Sequence, residues 1–262
     1  MRSLHIGATG MLAQQTNVDV ISNNIANMNT TAFTKRRAEF NDLLYQNIIR
    51  PGAASTSSQT IVPSGIQLGL GVKTAAVYRI TEGGGLTNTG NSLDLAIRGR
   101  GYFQIELPEG KGIAYTRDGA FQRNGDGTLV THDGYVVQPE ITIPEDTISI
   151  YVNNSGEVWV KQDGETDEVN VGQLELAAFT NEAGLEAMGQ NLFLETEASG
   201  APMIDNPDTE GFGSLLQEYL ETSNVNPVSE ITELVSAQRA YEMNSKIIQT
   251  SDQMLQTINQ LK

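Results

Sequence analysis

The two ends of the chain carry the pattern that most limits how it can fold. Apolar residues recur there every seven positions, and one more fills the same face of the first segment. These residues are Leu4, Met11, Val18, Ile21 and Ile25 near the start, and Leu234, Tyr241, Ile248 and Leu255 near the end. A seven-residue repeat places its members on one face of a helix and favours pairing with a second helix. The sequence therefore predicts a coiled-coil-like hairpin made from two segments that are distant in the chain.

The start of the second helix has its own signals. Pro227 suits the first turn of a helix, Asn226 before it is a good N-cap, and residues 228–262 contain neither Gly nor Pro. A single amphipathic helix commonly covers its own domain. Two helices that enclose a middle of different character have little core to cover. We therefore expect their remaining apolar positions to contact other copies of the chain, and the helices to be marginally ordered in the free subunit.

Between the two ends the sequence is typical of β structure. Short segments rich in β-branched or aromatic residues occur at 101–107, 128–131, 148–152 and 157–160. Turn signals separate them, namely Asp118-Gly119, Asn124-Gly125-Asp126-Gly127, Asp133-Gly134, Ser155-Gly156 and Asp163-Gly164. The predicted fold class is α+β, with the discontinuous helical hairpin joined to an all-β middle domain.

The predicted boundaries follow these changes of pattern. Residues 1–33 and 228–262 form the terminal helical domain, and residues 85–210 form the β domain. Residues 34–84 and 211–227 form the connecting region. Within it, the segment at about 46–65 is small, polar and rich in turn residues, a composition typical of a flexible linker.

The acidic charge is concentrated in one part of the chain. The net charge of −16 argues against binding to nucleic acid or to anionic membranes. Residues 124–227 contain twenty acidic side chains and one basic side chain, Lys161, whereas the two ends are near neutral. We expect the ends to approach copies of themselves and the acidic middle to face water.

No set of residues has the spacing of a catalytic, cofactor-binding or metal site. Cysteine is absent, and His5 and His132 have no second ligand at metal spacing. The turn at 124–127 faintly resembles a calcium loop but lacks the ligand ladder and the distal Glu, so a hairpin turn is the favoured interpretation. We predict no enzyme activity and no cofactor. The first residues lack the apolar core of a cleavable signal, so we expect either a cytoplasmic protein or export by another route.

Two terminal segments have a distinctive sequence. Residues 22–35 read Ser-Asn-Asn-Ile-Ala-Asn-Met-Asn-Thr-Thr-Ala-Phe-Thr-Lys, and residues 238–246 read Gln-Arg-Ala-Tyr-Glu-Met-Asn-Ser-Lys. Both segments closely resemble the signatures of bacterial flagellar rod and hook proteins. The matching positions are Asn23, Asn24, Ala26, Asn27 and Phe33 in the first segment and Arg239, Ala240 and Tyr241 in the second. Ala32 stands where the family has Gly. If that glycine adopts a positive φ, either Ala32 carries strain or the turn differs in this chain.

The resemblance extends through residues 91–103, 115–121 and 221–227, so it covers the chain in order. Within the family, residues 42–52 and 68–72 resemble the distal-rod branch, in which the segment near 46–65 is an ordered extension that contacts neighbouring subunits. The resemblance implies a structural subunit of the distal rod of the flagellar basal body, between periplasm and outer membrane. It implies self-assembly into a stiff helical filament that transmits torque to the hook.

The resemblance also implies partners. These are proximal rod and hook subunits, the ring proteins that surround the rod as a bushing, and the flagellar type III export apparatus. Three alternatives stay open: a secreted β-rich module for glycan binding or adhesion, a carbohydrate-active enzyme, and, within the family, a proximal rod subunit. The first would not need the terminal stripes, and the second would need two carboxylates placed in a cleft.

Overall fold

A computed structural model describes residues 2–49, 64–110, 112–164 and 167–260. The chain divides into two compact units. The first, the helical unit, contains Met1–Ala26, Arg36–Arg79 and Asn226–Lys262. The second, the β unit, contains Asn27–Lys35 and Ile80–Val225. The predicted α+β fold class is confirmed.

Among its described residues, the helical unit contains the two terminal helices and four strands. The helices are α1 (Arg2–Ala26) and α2 (Pro227–Gln260), and the strands are β1 (Arg36–Asp42), β2 (Tyr45–Ile49), β3 (Ile66–Gly69) and β4 (Val72–Arg79). Strand β1 pairs antiparallel with β4, and β2 pairs antiparallel with β3. The predicted N-cap is confirmed, because Asn226 Oδ1 accepts the N–H groups of Val228 at 3.0 Å and Ser229 at 3.4 Å.

The segment predicted at about 46–65 falls partly within the described residues. Residues 46–49 lie in β2, which pairs with β3 directly after the segment. All of the β2 side chains are exposed. Residues 50–63 lie outside the described part of the chain.

The β unit is built from short antiparallel strands. They are β5 (Leu86–Asn88), β6 (Leu95–Arg98), β7 (Tyr102–Glu106), β8 (Ile113–Thr116), β9 (Gln122–Arg123), β10 (Leu129–Val130), β11 (Val136–Gln138), β12 (Thr147–Val152), β13 (Glu157–Gln162), β14 (Val169–Gln173), β15 (Leu176–Ala178), β16 (Glu186–Gly189), β17 (Leu192–Leu194), β18 (Met203–Asp205), β19 (Ser214–Gln217) and β20 (Tyr219–Glu221). The largest sheet runs β16-β17-β8-β7-β11-β10-β9, with β15 pairing both β7 and β18. Smaller sheets are β12-β13-β14, β6-β19 and β5-β20.

Two apolar clusters lie in the β unit. The larger includes Phe103, Ile105, Phe121, Val160 and Leu176, all buried, and the smaller is built around Phe179. Alternate residues of β13 are buried, because successive side chains of a strand point to opposite faces. Each of the four predicted strand segments overlaps a strand of the β unit, namely β7, β10, β12 and β13 respectively.

The predicted turn glycines have two different roles. Gly127, Gly134, Gly156 and Gly164 adopt φ between +84° and +86°, the left-handed conformation that favours glycine. Gly119 is required for another reason. A Cβ atom there would lie 1.7 Å from the carbonyl oxygen of Leu95, so the two backbones could not approach so closely with any larger residue.

Parts of the predicted helical and connecting regions belong to the β unit. Residues 27–35, which follow α1, lie in that unit. Strands β19 and β20, within the predicted connecting region 211–227, pair with β6 and β5. Within the described residues, neither helix is long and apolar enough to cross a membrane.

Candidate assembly surface on the terminal helices

Helices α1 and α2 approach each other closely at two glycines of α1. A Cβ atom at Gly7 would lie 2.9 Å from Cγ1 of Ile248, and one at Gly10 would lie 2.8 Å from Nδ2 of Asn244. The heptad pattern did not identify these residues, because it counts apolar side chains and glycine has none. The small residues at positions 7 and 10 are the signal that could have done so.

The predicted apolar face is only partly covered when α1 and α2 pair within one chain. Ile21 is buried. Leu4, Met11, Val18 and Ile25 of α1, and Leu234, Ile248 and Leu255 of α2, are half-buried. Tyr241 remains 44% exposed. That these residues contact other copies of the chain stays a prediction.

Further apolar side chains of α2 are exposed in two groups. The N patch consists of Val228, Ile231 and Val235, and the C patch consists of Met243, Ile247, Met254 and Ile258. Successive residues of a helix are about 100° apart around its axis. Measured from the buried Ala237, the N patch lies roughly 120–180° away in one sense, and the C patch roughly 60–120° away in the opposite sense. The patches therefore occupy different flanks as well as different ends of α2.

A buried polar cluster fixes α1, α2 and β1 together. The Nδ2 group of Asn24 donates to the carbonyl oxygen of Arg36 at 2.8 Å and to Oε2 of Glu230 at 3.0 Å. Its Oδ1 accepts the N–H of Arg36 at 2.9 Å. Asn24 and Glu230 are both buried, so leaving either one unpaired would be costly. One residue of the predicted signature, Asn24, thereby acquires a structural role.

The other signature residues do not form one site. Asn23, Ala26 and Arg239 are exposed and Ala240 is half-buried. Asn27 and Phe33 lie in the β unit, where Asn27 Oδ1 accepts the hydroxyl of Thr30 at 3.1 Å. The structure therefore brings together Asn24, Glu230 and Arg36, of which the sequence pattern identified one.

Three models of flagellar protein families match parts of both units of the chain. Residues 4–34 match the family model described as flagella basal body rod protein. Residues 96–160 match that of the flagellar hook protein FlgE/F/G D1 domain, and residues 216–261 that of the flagellar basal body rod FlgEFG protein C-terminal.

Relatives that match the chain over almost its whole length belong to the same group of flagellar proteins. The chain is 59% identical to the flagellar basal-body rod protein FlgG of Caulobacter vibrioides over 100% of both chains. It is 52% identical to FlgG of Agrobacterium fabrum over 99% of this chain and 98% of the relative, and 49% identical to FlgG of Buchnera aphidicola over 99% of each. The chain belongs to the FlgG family of flagellar basal-body rod proteins. It is a structural subunit of the rod, and the predicted resemblance to the distal-rod branch is confirmed.

Family membership decides between the interpretations left open by the sequence. The adhesion module and the proximal rod subunit are not favoured, because the FlgG match runs from end to end. The relatives are structural rod proteins, which assemble into the basal-body rod with other flagellar components.

The backbone is strained at Ala32, in the turn after α1 where the family has glycine. Ala32 has φ of +54°, in the left-handed region that only glycine adopts without cost, and it is buried. Its N–H donates to the carbonyl oxygen of Glu221 at 2.8 Å. Of the two alternatives expected at this turn, strain at Ala32 is the one observed.

Two further segments that resemble the rod family meet in a buried ion pair of the β unit. Arg117 Nε lies 2.9 Å from Oε2 of Glu221, and the two side chains are 7% and 2% exposed. Arg117 also donates to the carbonyl oxygens of Gly99 and Gly101, both at 3.0 Å. Glu221 Oε1 accepts the N–H of Gly84 at 2.8 Å. No signal in a single sequence pairs residues that are so far apart in the chain.

The oxygen-rich turn of this rod protein is a hairpin turn. It joins β9 to β10, and Asn124 donates its N–H to the carbonyl oxygen of Thr128 at 2.9 Å. The Oδ1 atom of Asn124 accepts the N–H of Gly125 at 2.7 Å. Among the described residues, no group of three or more acidic or histidine side chains is arranged to hold a metal ion.

Proposed function

We propose that the chain polymerises with copies of itself into the distal rod and that the rod transmits torque to the hook. The observation that carries this proposal is the exposure of the N patch and the C patch on α2. Burying a Val, Ile or Met side chain contributes about 1.5–3 kcal/mol. The seven side chains of the two patches would supply a large part of a contact between subunits.

The positions of the patches favour an open filament over a closed dimer. A two-fold dimer uses the same surface on both subunits, whereas two different surfaces give head-to-tail contacts that can repeat indefinitely. Because the patches lie on different flanks, the N patch of one copy can contact the C patch of the next. The patch centres are about nineteen residues apart, so neighbouring parallel helices would be staggered by roughly 30 Å.

The charge distribution supports the same arrangement. The helical unit has nine basic and seven acidic side chains, whereas the β unit has seven basic and twenty-five acidic ones. Nearly neutral surfaces can pack against each other with little repulsion, but surfaces of one sign repel. We therefore assign the interior of the filament to the helices and its outer wall to the β unit.

The remaining partners follow from the place of the rod in the flagellum. We propose contacts with proximal rod subunits at one end and hook subunits at the other, and with the ring proteins around the rod. We also propose export through the flagellar type III apparatus. Torque transmission requires many shared contacts and no catalytic step.

A charge placed in the C patch tests the proposal. Met254→Lys introduces a charge at a side chain that is 54% exposed, so it should leave the monomer folded and abolish polymerisation seen by light scattering and electron microscopy. Gln253→Lys is the matched control, since Gln253 is exposed outside both patches. Equal polymerisation of the Met254→Lys variant and the wild type would refute the use of the C patch.

A further inference from the structure

The chain crosses between its two units four times, after Ala26, Lys35, Arg79 and Val225. Three of these crossings lie at Asn224 of the β unit. Lys35 and Ile80, at the second and third crossings, are hydrogen-bonded to Asn224, and Val225, at the fourth, is the next residue in the chain. These covalent connections are one route by which a load applied to the terminal helices reaches the β unit of the same chain. If the connecting segments move independently, each is stretched in turn. If they are bonded to one another, they move together and share the load.

Asn224 uses its whole side-chain amide and its backbone N–H on these connections. Its Oδ1 accepts the N–H of Lys35 at 2.7 Å. Its Nδ2 donates to the carbonyl oxygens of Ile80 at 3.1 Å and Glu82 at 2.8 Å. Its own N–H donates to the carbonyl oxygen of Phe33 at 3.3 Å. One acceptor and two donors on one short side chain are properties that asparagine has and that aspartate and alanine lack.

We propose that Asn224 is a positioning residue that clamps the three connecting segments 33–35, 80–82 and 224 into one bundle, called here the root of the β unit. The root makes these segments move together, so that load is shared among them. The mechanical part of this inference rests on the proposed function, whereas the clamp itself is a property of the single chain.

Other hydrogen bonds keep the root folded when the clamp is removed. The N–H of Ile80 donates to the carbonyl oxygen of Lys35 at 3.0 Å, and the N–H of Thr222 donates to that of Gly85 at 2.7 Å. The carbonyl oxygens of Ile80 and Glu82 can bond to water once the Asn224 amide is gone. Losing the clamp should therefore loosen the root and leave the strands of the β unit intact.

Trypsin provides a local readout, because Lys35 and Arg79 are its cleavage sites at two of the crossings. We expect Asn224→Ala to be cut after these residues about tenfold faster than the wild type, since local opening becomes easier by about 1.4 kcal/mol. Asn224→Asp keeps the acceptor for Lys35 but loses both donors, so it should also be cut faster. Mass spectrometry of the early fragments identifies the cut positions.

Asn153→Ala is the matched control. Asn153 is likewise half-buried, and its side chain makes three hydrogen bonds, but all of them stay within residues 153–157 of one hairpin. It should leave the cleavage rates after Lys35 and Arg79 unchanged. If both variants are cut equally fast, or if Asn224→Ala is cut no faster than the wild type, Asn224 is not a clamp.

Load dependence tests the mechanical part separately. Cells carrying the Asn224→Ala chain should assemble rods and swim in dilute medium, but should lose speed more steeply than wild-type cells as the viscosity of the medium rises. A speed that falls in parallel with that of the wild type would overturn the load-sharing role. Failure of the wild-type chain to polymerise would instead contradict the proposed function and leave the trypsin comparison standing.

Discussion

Replacing one member of the Arg117–Glu221 ion pair should sharply destabilise the β unit. Breaking a buried ion pair by removing one partner costs about 3–5 kcal/mol, because a charge stays buried without compensation. In Glu221→Gln the guanidinium of Arg117 keeps the carbonyl oxygens of Gly99 and Gly101 at 3.0 Å, so we expect a loss near 3 kcal/mol. In Arg117→Met the carboxylate of Glu221 keeps the N–H of Gly84, so we expect a loss nearer 5 kcal/mol.

Urea denaturation measures both losses. Trp159 is the only tryptophan and lies in β13, so its fluorescence reports unfolding of the β unit. The control is Glu182→Gln, which breaks the pair of Arg100 and Glu182, whose side chains are 61% and 11% exposed. That change should cost about 1 kcal/mol or less, because exposed ion pairs contribute little. A loss in Glu221→Gln no larger than in the control, or a larger loss than in Arg117→Met, would refute the reasoning.

Three further changes test single features of the β unit by the same denaturation assay. Ala32→Gly should stabilise it by about 0.5–1 kcal/mol by removing the left-handed strain, and a loss of stability would contradict that strain. Gly84→Ala should cost about 3 kcal/mol, since its Cβ would lie 1.7 Å from the carbonyl oxygen of Thr222, whereas Gly125→Ala, with open space, should be nearly neutral. Burial raises the pKa of Asp118, so the stability that its protonated form contributes is present at low pH and is lost as pH rises through its folded pKa. Asp118→Asn should therefore match the wild type below about pH 4 and exceed it in stability at pH 7, and a constant difference would exclude the effect.

The sequence predicts best those parts of the fold that depend on local patterns. The heptads indicated both helices, Asn226 indicated where α2 begins, and four of the five predicted turns contain a glycine with a left-handed φ. Each of these signals concerns residues within a few positions of one another. The strain at Ala32 could be anticipated only because the flagellar rod and hook family has glycine at that position.

The features that a single sequence cannot predict depend on contacts between distant segments. Gly7 contacts Ile248 across 241 positions, and Arg117 meets Glu221 across 104. The two patches of α2 are a different case. Their residues are visible in the sequence, but their exposure is known only once it is clear which side of α2 is covered by α1.

Contact between the two patches in the filament is the central claim, and disulfide cross-linking measures it directly. The chain has no cysteine, so any introduced pair is unique. A Val235→Cys chain mixed with a Met254→Cys chain should form mixed dimers on oxidation of the polymer, in excess over either homodimer. The control mixture is Ser236→Cys with Gln253→Cys, which places the thiols one residue away and outside both patches. Equal cross-linking in the two mixtures would show that the N patch of one copy does not meet the C patch of the next.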